Sequence, residues 1–140
     1  MKCGIVIVSG LCLCLCLLSC VGCGKNVQVS GKVTFDDGSP LSTGMVIFLS
    51  GSNQSKAPIE KDGSYRVGTL NAGDGLPRGN YRVYITGAIE SKGISPTGAI
   101  LGAPVELVDS KFTSPETSDL TCEVKGSTIF DFTVTPPKKR

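Results

Sequence analysis

Val27-Gln28-Val29-Ser30-Gly31-Lys32-Val33-Thr34-Phe35 alternates apolar and polar residues along its whole length. Successive side chains of a β-strand leave opposite faces, so Val27, Val29, Val33 and Phe35 share a core-facing side and the even positions face water. Gly31 is the one gap in the apolar row. The stretch predicts a half-buried strand.

The neighbouring sequence is of the same kind. Asp36-Asp37-Gly38-Ser39-Pro40 has turn chemistry, with Gly free to take positive φ and Pro fixing its own. Met45-Val46-Ile47-Phe48-Leu49 is continuously apolar, as a strand covered on both faces would be, and Ser50 to Ser55 breaks it. Asp62-Gly63 turns the chain into Ser64-Tyr65-Arg66-Val67. The loop Asn71 to Gly79 leads into Tyr81–Thr86, where Tyr81, Val83 and Ile85 share a face. Leu120–Val124 and Thr128–Val134 flank Lys125-Gly126-Ser127 as a predicted hairpin, with Phe130, Phe132 and Val134 inward. Short strands, Gly/Pro/Asp turns and the lack of a helix-period segment outside the N-terminus predict an all-β, antiparallel β-sandwich. Residues 87–118, rich in Gly, Ser, Pro and Thr, exceed a plain connection. They are expected to form a mobile functional loop or to carry one edge strand near Ala103 to Leu107.

The N-terminus reads differently. Lys2 precedes an apolar run from Cys3 to Leu18, shorter than the ~20 residues that span a bilayer and poorly flanked for a stop-transfer segment. That is the pattern of an export signal. Leu17-Leu18-Ser19-Cys20 resembles the lipobox of bacterial lipoproteins, in which the cysteine is acylated and becomes the first residue after cleavage. Cys20 is the favoured lipidation site and Cys23, in Cys20-Val21-Gly22-Cys23, the alternative. The expected organisation is a signal peptide over 1–19 (or 1–22), a linker over 20–26 and a domain over 27–140. The other early cysteines are apolar filler.

Four pieces in order carry a family resemblance: Val29-Ser30-Gly31-Lys32-Val33-Thr34; Asp37-Gly38-Ser39-Pro40-Leu41 with Val46-Ile47-Phe48; Asp62-Gly63-Ser64-Tyr65; and Pro77-Arg78-Gly79-Asn80-Tyr81-Arg82-Val83. Together they resemble the carboxypeptidase regulatory-like domain, a transthyretin-like (prealbumin-type) β-sandwich. The segment from Lys111-Phe112 to Phe130-Asp131-Phe132 is similar to small lipoproteins of planctomycete-type bacteria. The resemblance implies an accessory or structural module. One departure is that Arg78 splits the Pro-Gly pair usual before the Tyr strand.

Composition narrows the function. The chain has 14 Lys and Arg, 12 Asp and Glu and no His. Without Lys2 the remainder is almost neutral, so nothing but the anchor is expected to hold it at a bilayer. A basic face with stacking aromatics is missing, which argues against nucleic acid. Lys138-Lys139-Arg140 is a solvated terminus, or a contact for anionic lipid or a cell-wall polymer. Beyond the signal and Cys23 only Cys122 remains, so no disulfide framework is expected and Cys122 is a buried, inert thiol.

The lack of His removes the commonest general base and zinc ligand. Neither a Gly-x-Ser-x-Gly elbow nor a phosphate loop occurs. Asp36, Asp37, Asp62 and Asp74 fall in turns or a Gly-rich loop and are too few, as spaced, for a Ca²⁺ loop. The expectation is no catalytic residue, no cofactor and no metal. The function expected is a membrane-tethered, extracytoplasmic lipoprotein with a non-catalytic sandwich in a structural or protein-binding role of the cell envelope. The alternative is a glycan or small-ligand module, for which only Tyr84 points away from the core; Tyr65 and Tyr81 point inward.

Overall fold

The computed structural model describes residues 25–71 and 73–139. The expected signal segment, with Cys20 and Cys23, lies outside them. The strands in chain order are β1 (Val29–Phe35), β2 (Met45–Ser50), β3 (Asn53–Pro58), β4 (Ser64–Arg66), β5 (Gly79–Thr86), β6 (Ile89–Glu90), β7 (Val105–Glu106), β8 (Thr121–Val124), β9 (Thr128–Ile129) and β10 (Phe132–Val134). In the first sheet β1 is central, with β4 antiparallel on one side and β9 and β10 parallel on the other. The second sheet runs β3-β2-β5-β8 and is antiparallel throughout. β6 and β7 make a separate antiparallel ribbon. The expected all-β sandwich is what the chain forms, with one parallel seam in an otherwise antiparallel fold. Among the described residues the helical content is a single 3₁₀ turn, Ser110–Phe112.

The core lies where the inner faces of the two sheets meet. From β1 come Val29 and Val33, both buried, with Val27 and Phe35 packed at its edges. Opposite them stand Val46 and Phe48 of β2 and Tyr81, Val83 and Ile85 of β5, as the alternation predicts. Phe48 is the hub. Its ring lies 6.2 Å from those of Tyr65 and Tyr81 and 6.4 Å from that of Phe130, centroid to centroid. Tilted and edge-on contacts of this kind add to the stabilisation from burial alone.

Gly31, the gap in the β1 row, is the point of closest approach. A methyl there would lie 2.0 Å from the Phe130 carbonyl oxygen and 2.7 Å from the Tyr65 hydroxyl. The Tyr65 hydroxyl donates to that same carbonyl across β1. A missing side chain therefore lets β4 and the β9–β10 segment join over β1, and satisfies a carbonyl that the sandwich would otherwise bury.

Turn chemistry follows the sequence closely. Asp37 accepts from the Ser39 amide (2.9 Å) and Asp62 from the Ser64 amide (3.0 Å), with Gly38 and Gly63 at positive φ. The Pro77–Tyr81 segment is a corner: the Tyr81 hydroxyl donates back to the Pro77 carbonyl at 2.7 Å. Tyrosines in this position hold Greek-key sandwiches at the start of a strand.

Two expectations need correction. The hairpin across Lys125-Gly126-Ser127 does not form. β8 pairs with β5 and β9 pairs with β1, so these residues arch from one sheet to the other. Gly126 does not adopt the positive φ that such tight hairpins require, and the Arg78 Nε donates to the Lys125 carbonyl at 2.7 Å, pinning the arch. Second, the break expected over Ser50 to Ser55 is only the two-residue turn Gly51-Ser52, and β3 begins at Asn53. The continuous apolar run is covered on both faces as expected, since Ile47, opposite in direction to Val46 and Phe48, is buried too, next to Lys56 and Tyr84 on the adjoining strands.

Candidate functional site

Two surfaces stand out. One is an open groove of about 700 Å³ on the outer face of the first sheet. The outward residues of β1 and β4 floor it, because alternation sends Ser30, Lys32, Ser64 and Arg66 to the side opposite Val29, Val33 and Tyr65. Ile129 and Asp131 form one wall, and Pro58 and Glu60 lie on the other side. Asp131 is fixed by the Lys32 amide, which donates to its carboxylate at 2.8 Å. The groove thus offers both signs of charge and hydroxyls. Its one large exposed apolar side chain is Ile129.

The second surface is made by the long segment after β5. Residues 89–106 are all exposed except Ser95, which is half-buried. They double back as a hairpin. Ile89 pairs with Glu106, Glu90 with Val105 and, further out, Ile94 with Ile100. A tip turn closes it, with the Ser95 amide donating to the Ala99 carbonyl (2.8 Å) and the Gly98 amide to the Ser95 carbonyl (2.9 Å). The return strand reaches the edge-strand position expected near Ala103 to Leu107, but pairs within the ribbon.

From Val108 onward the chain is fastened to the sandwich. Val108 and Phe112 are buried, Asp109 donates its amide to the Thr135 carbonyl (2.8 Å), and the Ser118 hydroxyl donates to the Val83 carbonyl. Lys111 pairs with Asp119 at 2.8 Å, which holds that carboxyl below its ordinary value. The unusual 87–118 stretch is therefore two things: a projecting ribbon and a packed strap.

Three of the four carboxylates singled out in the sequence, Asp37, Asp62 and Asp74, have structural partners. The Asp74 carboxylate accepts from the amides of Thr69, Leu70 and Asn71 at 2.6–3.1 Å. Hydrogen bonds hold Asp37, Asp62 and Asp74 below the usual carboxylate range. Asp36 is exposed in the same turn as Asp37. Among the described residues no three His, Cys, Asp or Glu side chains are grouped to hold a metal. Nor is any described helix long and apolar enough to cross a membrane.

Cys122 is buried on β8 beside Tyr81, and burial pushes its thiol up. Burial also pushes the Tyr65 hydroxyl far up. Both are acids kept neutral in the fold and freed to ionise on unfolding. Stability is thus fully present below the ordinary thiol value of about 8.5, falls as pH rises beyond it, and falls faster above about 10 as the tyrosine joins. The urea midpoint is expected to drop between pH 7.5 and pH 10.5, and Cys122→Ala to flatten the first part of that drop. An unchanged midpoint would contradict the assignment.

Tyr84, the outward tyrosine, lies on the second sheet, away from the groove, where Gln54 Nε2 donates to its hydroxyl at 3.4 Å. The groove has no exposed aromatic wall, and the half-buried Tyr84 lies outside it.

No family model and no curated protein matches the chain. Solved structures do. A DUF3823 family protein from Bacteroides ovatus aligns with a TM-score of 0.48 at 18% identity, over 79% of this chain and 45% of its own. A 9R-lipoxygenase from Cyanothece aligns at 0.35 and 13%, over 81% of this chain and 17% of its own. The chain spans less than half the length of either. The β-sandwich assignment rests on the sheets themselves, and these likenesses carry nothing about activity.

Proposed function

We propose that this is a lipid-anchored, extracytoplasmic protein of the bacterial cell envelope. It carries a non-catalytic β-sandwich of the carboxypeptidase regulatory-like, transthyretin-like type in a structural or protein-binding role. What supports it is a sandwich whose buried residues, among those described, all lie between Val29 and Val134, preceded in the sequence by a segment that reads as an export signal with a lipobox-like cysteine. Acyl chains on Cys20, or on Cys23, would tie the domain to membrane lipid, since each buried methylene contributes about 0.8 kcal/mol. The groove supports a protein partner over the alternative, a glycan. Lys32, Arg66, Glu60 and Asp131 suit the mixed charge of a protein surface, whereas sugar rings stack on the aromatic walls that it lacks.

Metabolic labelling with an alkyne-tagged fatty acid tests the anchor. Wild type is expected to take up label, and Cys20→Ser to abolish it; loss only with Cys23→Ser moves the site there. Retained label and salt-resistant membrane association in the double variant would replace the anchor with an uncleaved helix. For the partner, a photo-crosslinking residue at Ile129 should trap a discrete protein in membranes, and one at Gln54 should not.

A further inference from the structure

The projecting ribbon has a composition unlike the rest of the surface. From Gly93 to Val105 it contains no charged residue at all. Within that stretch Ile94 is 69% exposed, Ile100 77% and Leu101 56%. Ile94 and Ile100 stand directly opposite each other across the hairpin, so their side chains form one continuous apolar face. Single exposed apolar residues are ordinary, but a contiguous exposed cluster marks an interaction site.

Charged groups of both signs stand behind this tip, with Glu90 and Glu106 on the paired strands at its base and Lys92 beside them. Lys92 lays its stem along Gly102, its Cδ within 3.2 Å of where a Gly102 methyl would be, which leaves the ammonium at the edge of the uncharged zone. The tail with Lys138 and Lys139 leaves the sandwich at the same end, because Thr135, which precedes it, accepts from Asp109 at the root of the strap. An uncharged apolar wedge with charges of both signs behind it matches the layering of a bilayer, with hydrocarbon inside and charged headgroups outside.

Size argues in the same direction. The three tip side chains, Ile94 and Ile100 on one face and Leu101 on the other, together expose roughly a few hundred Å² at most, short of the ~800 Å² per partner that a stable protein pair buries. Wedging into lipid has no such threshold.

We infer that the tip of the 89–106 ribbon inserts into the interfacial region of a lipid bilayer, a second membrane contact beyond the acyl anchor. The domain's location at a membrane rests on the function proposed above; the insertion itself rests on the ribbon.

The two contacts fit one bilayer. Val27 pairs with Leu76 at the end of the sandwich where β5 starts, and the ribbon leaves where β5 ends. The eight residues of β5 span roughly 26 Å, and a seven-residue linker reaches at most about 25 Å. With its strands lying along the membrane, the sandwich touches it at both ends.

The chain contains no tryptophan, so Ile100→Trp creates a unique indole reporter. The full chain carrying it would be reconstituted in phosphatidylcholine vesicles containing phosphatidylglycerol, some with brominated acyl chains. Its emission is expected to shift to the blue, with at least about twofold more quenching by the brominated lipid than Ile129→Trp shows on the groove face. Adding Ile94→Asp and Leu101→Asp should abolish the difference. An indole at position 100 that emits as in water and meets iodide as freely as one at 129 overturns the inference, as does protection that appears only with added envelope protein and no lipid. Fatty-acid labelling reads the anchor separately. Label without insertion removes the ribbon proposal alone, and insertion without label removes the anchor alone.

Discussion

Gly31→Ala is expected to lose about 2–6 kcal/mol of stability, a large part of the ~5–15 kcal/mol that holds a domain of this size together. The added methyl would lie 2.0 Å from the Phe130 carbonyl oxygen and 2.6 Å from its carbon, both backbone atoms. Only displacement of β9–β10 away from β1 relieves that clash. Overpacking of this kind typically costs about 1–3 kcal/mol. The displacement also breaks the Tyr65 hydroxyl's bond to the same carbonyl, leaving a buried polar group without a partner for about 1–3 kcal/mol more. Tyr65→Phe separates the two effects, since it removes the hydrogen bond with no clash and should show only the second loss. Urea denaturation of the three proteins measures both. Equal midpoints for Gly31→Ala and wild type would mean that β1 and the β9–β10 segment are not joined as described.

Phe48→Ala is expected to be of similar size, about 3–5 kcal/mol, by emptying the hub of the core. Phe48 is fully buried, and its ring touches aromatic side chains from β4, from β5 and from the segment between β9 and β10. Truncation leaves a void bordered by three rings held on different strands, which cannot all move inward together. Each lost aromatic contact adds about 0.5–1.5 kcal/mol beyond burial. Ile129→Ala, on the surface, should change stability by less than about 0.5 kcal/mol. If the two variants unfold at the same denaturant concentration, Phe48 is not at the centre of the core.

These residues also show why some of the fold could be read from the chain and some could not. β1 and β5 announce themselves because one face of each is buried by large side chains, so Val29, Val33, Tyr81, Val83 and Ile85 write the period directly. β3 hides because it is an edge strand whose inward positions, Ser55 and Ala57, are small enough to fit against Phe48 and Val46 without a hydrophobic signature. The arch at Lys125–Ser127 was ambiguous for a different reason. Two short alternating strands with a Gly between them satisfy a hairpin and a sheet-to-sheet crossing equally, and the φ of Gly126 is a product of the crossing. The ribbon lay in a stretch marked as unusual, yet its apolar residues follow neither a strand nor a helix period. Ile94 and Ile100 become neighbours only once the chain doubles back. The mixed-charge groove was not foreseen because its residues come from four separate segments. The proposed lipidation cysteines, Cys20 and Cys23, rest on a sequence motif alone and lie outside the described residues.

The parallel seam bears on when this protein can fold. The amide of Lys32 finds its acceptor on Asp131, 99 residues later, and β1 lacks its partners on one side until the last strands arrive. Contacts so distant along the chain make for slow folding, because a large loop must close before they are gained. A chain emerging N-terminus first therefore stays open through most of its synthesis. Under the export proposed above, that delay would keep the polypeptide extended while it is threaded through a membrane and would place the closing of the sandwich on the far side.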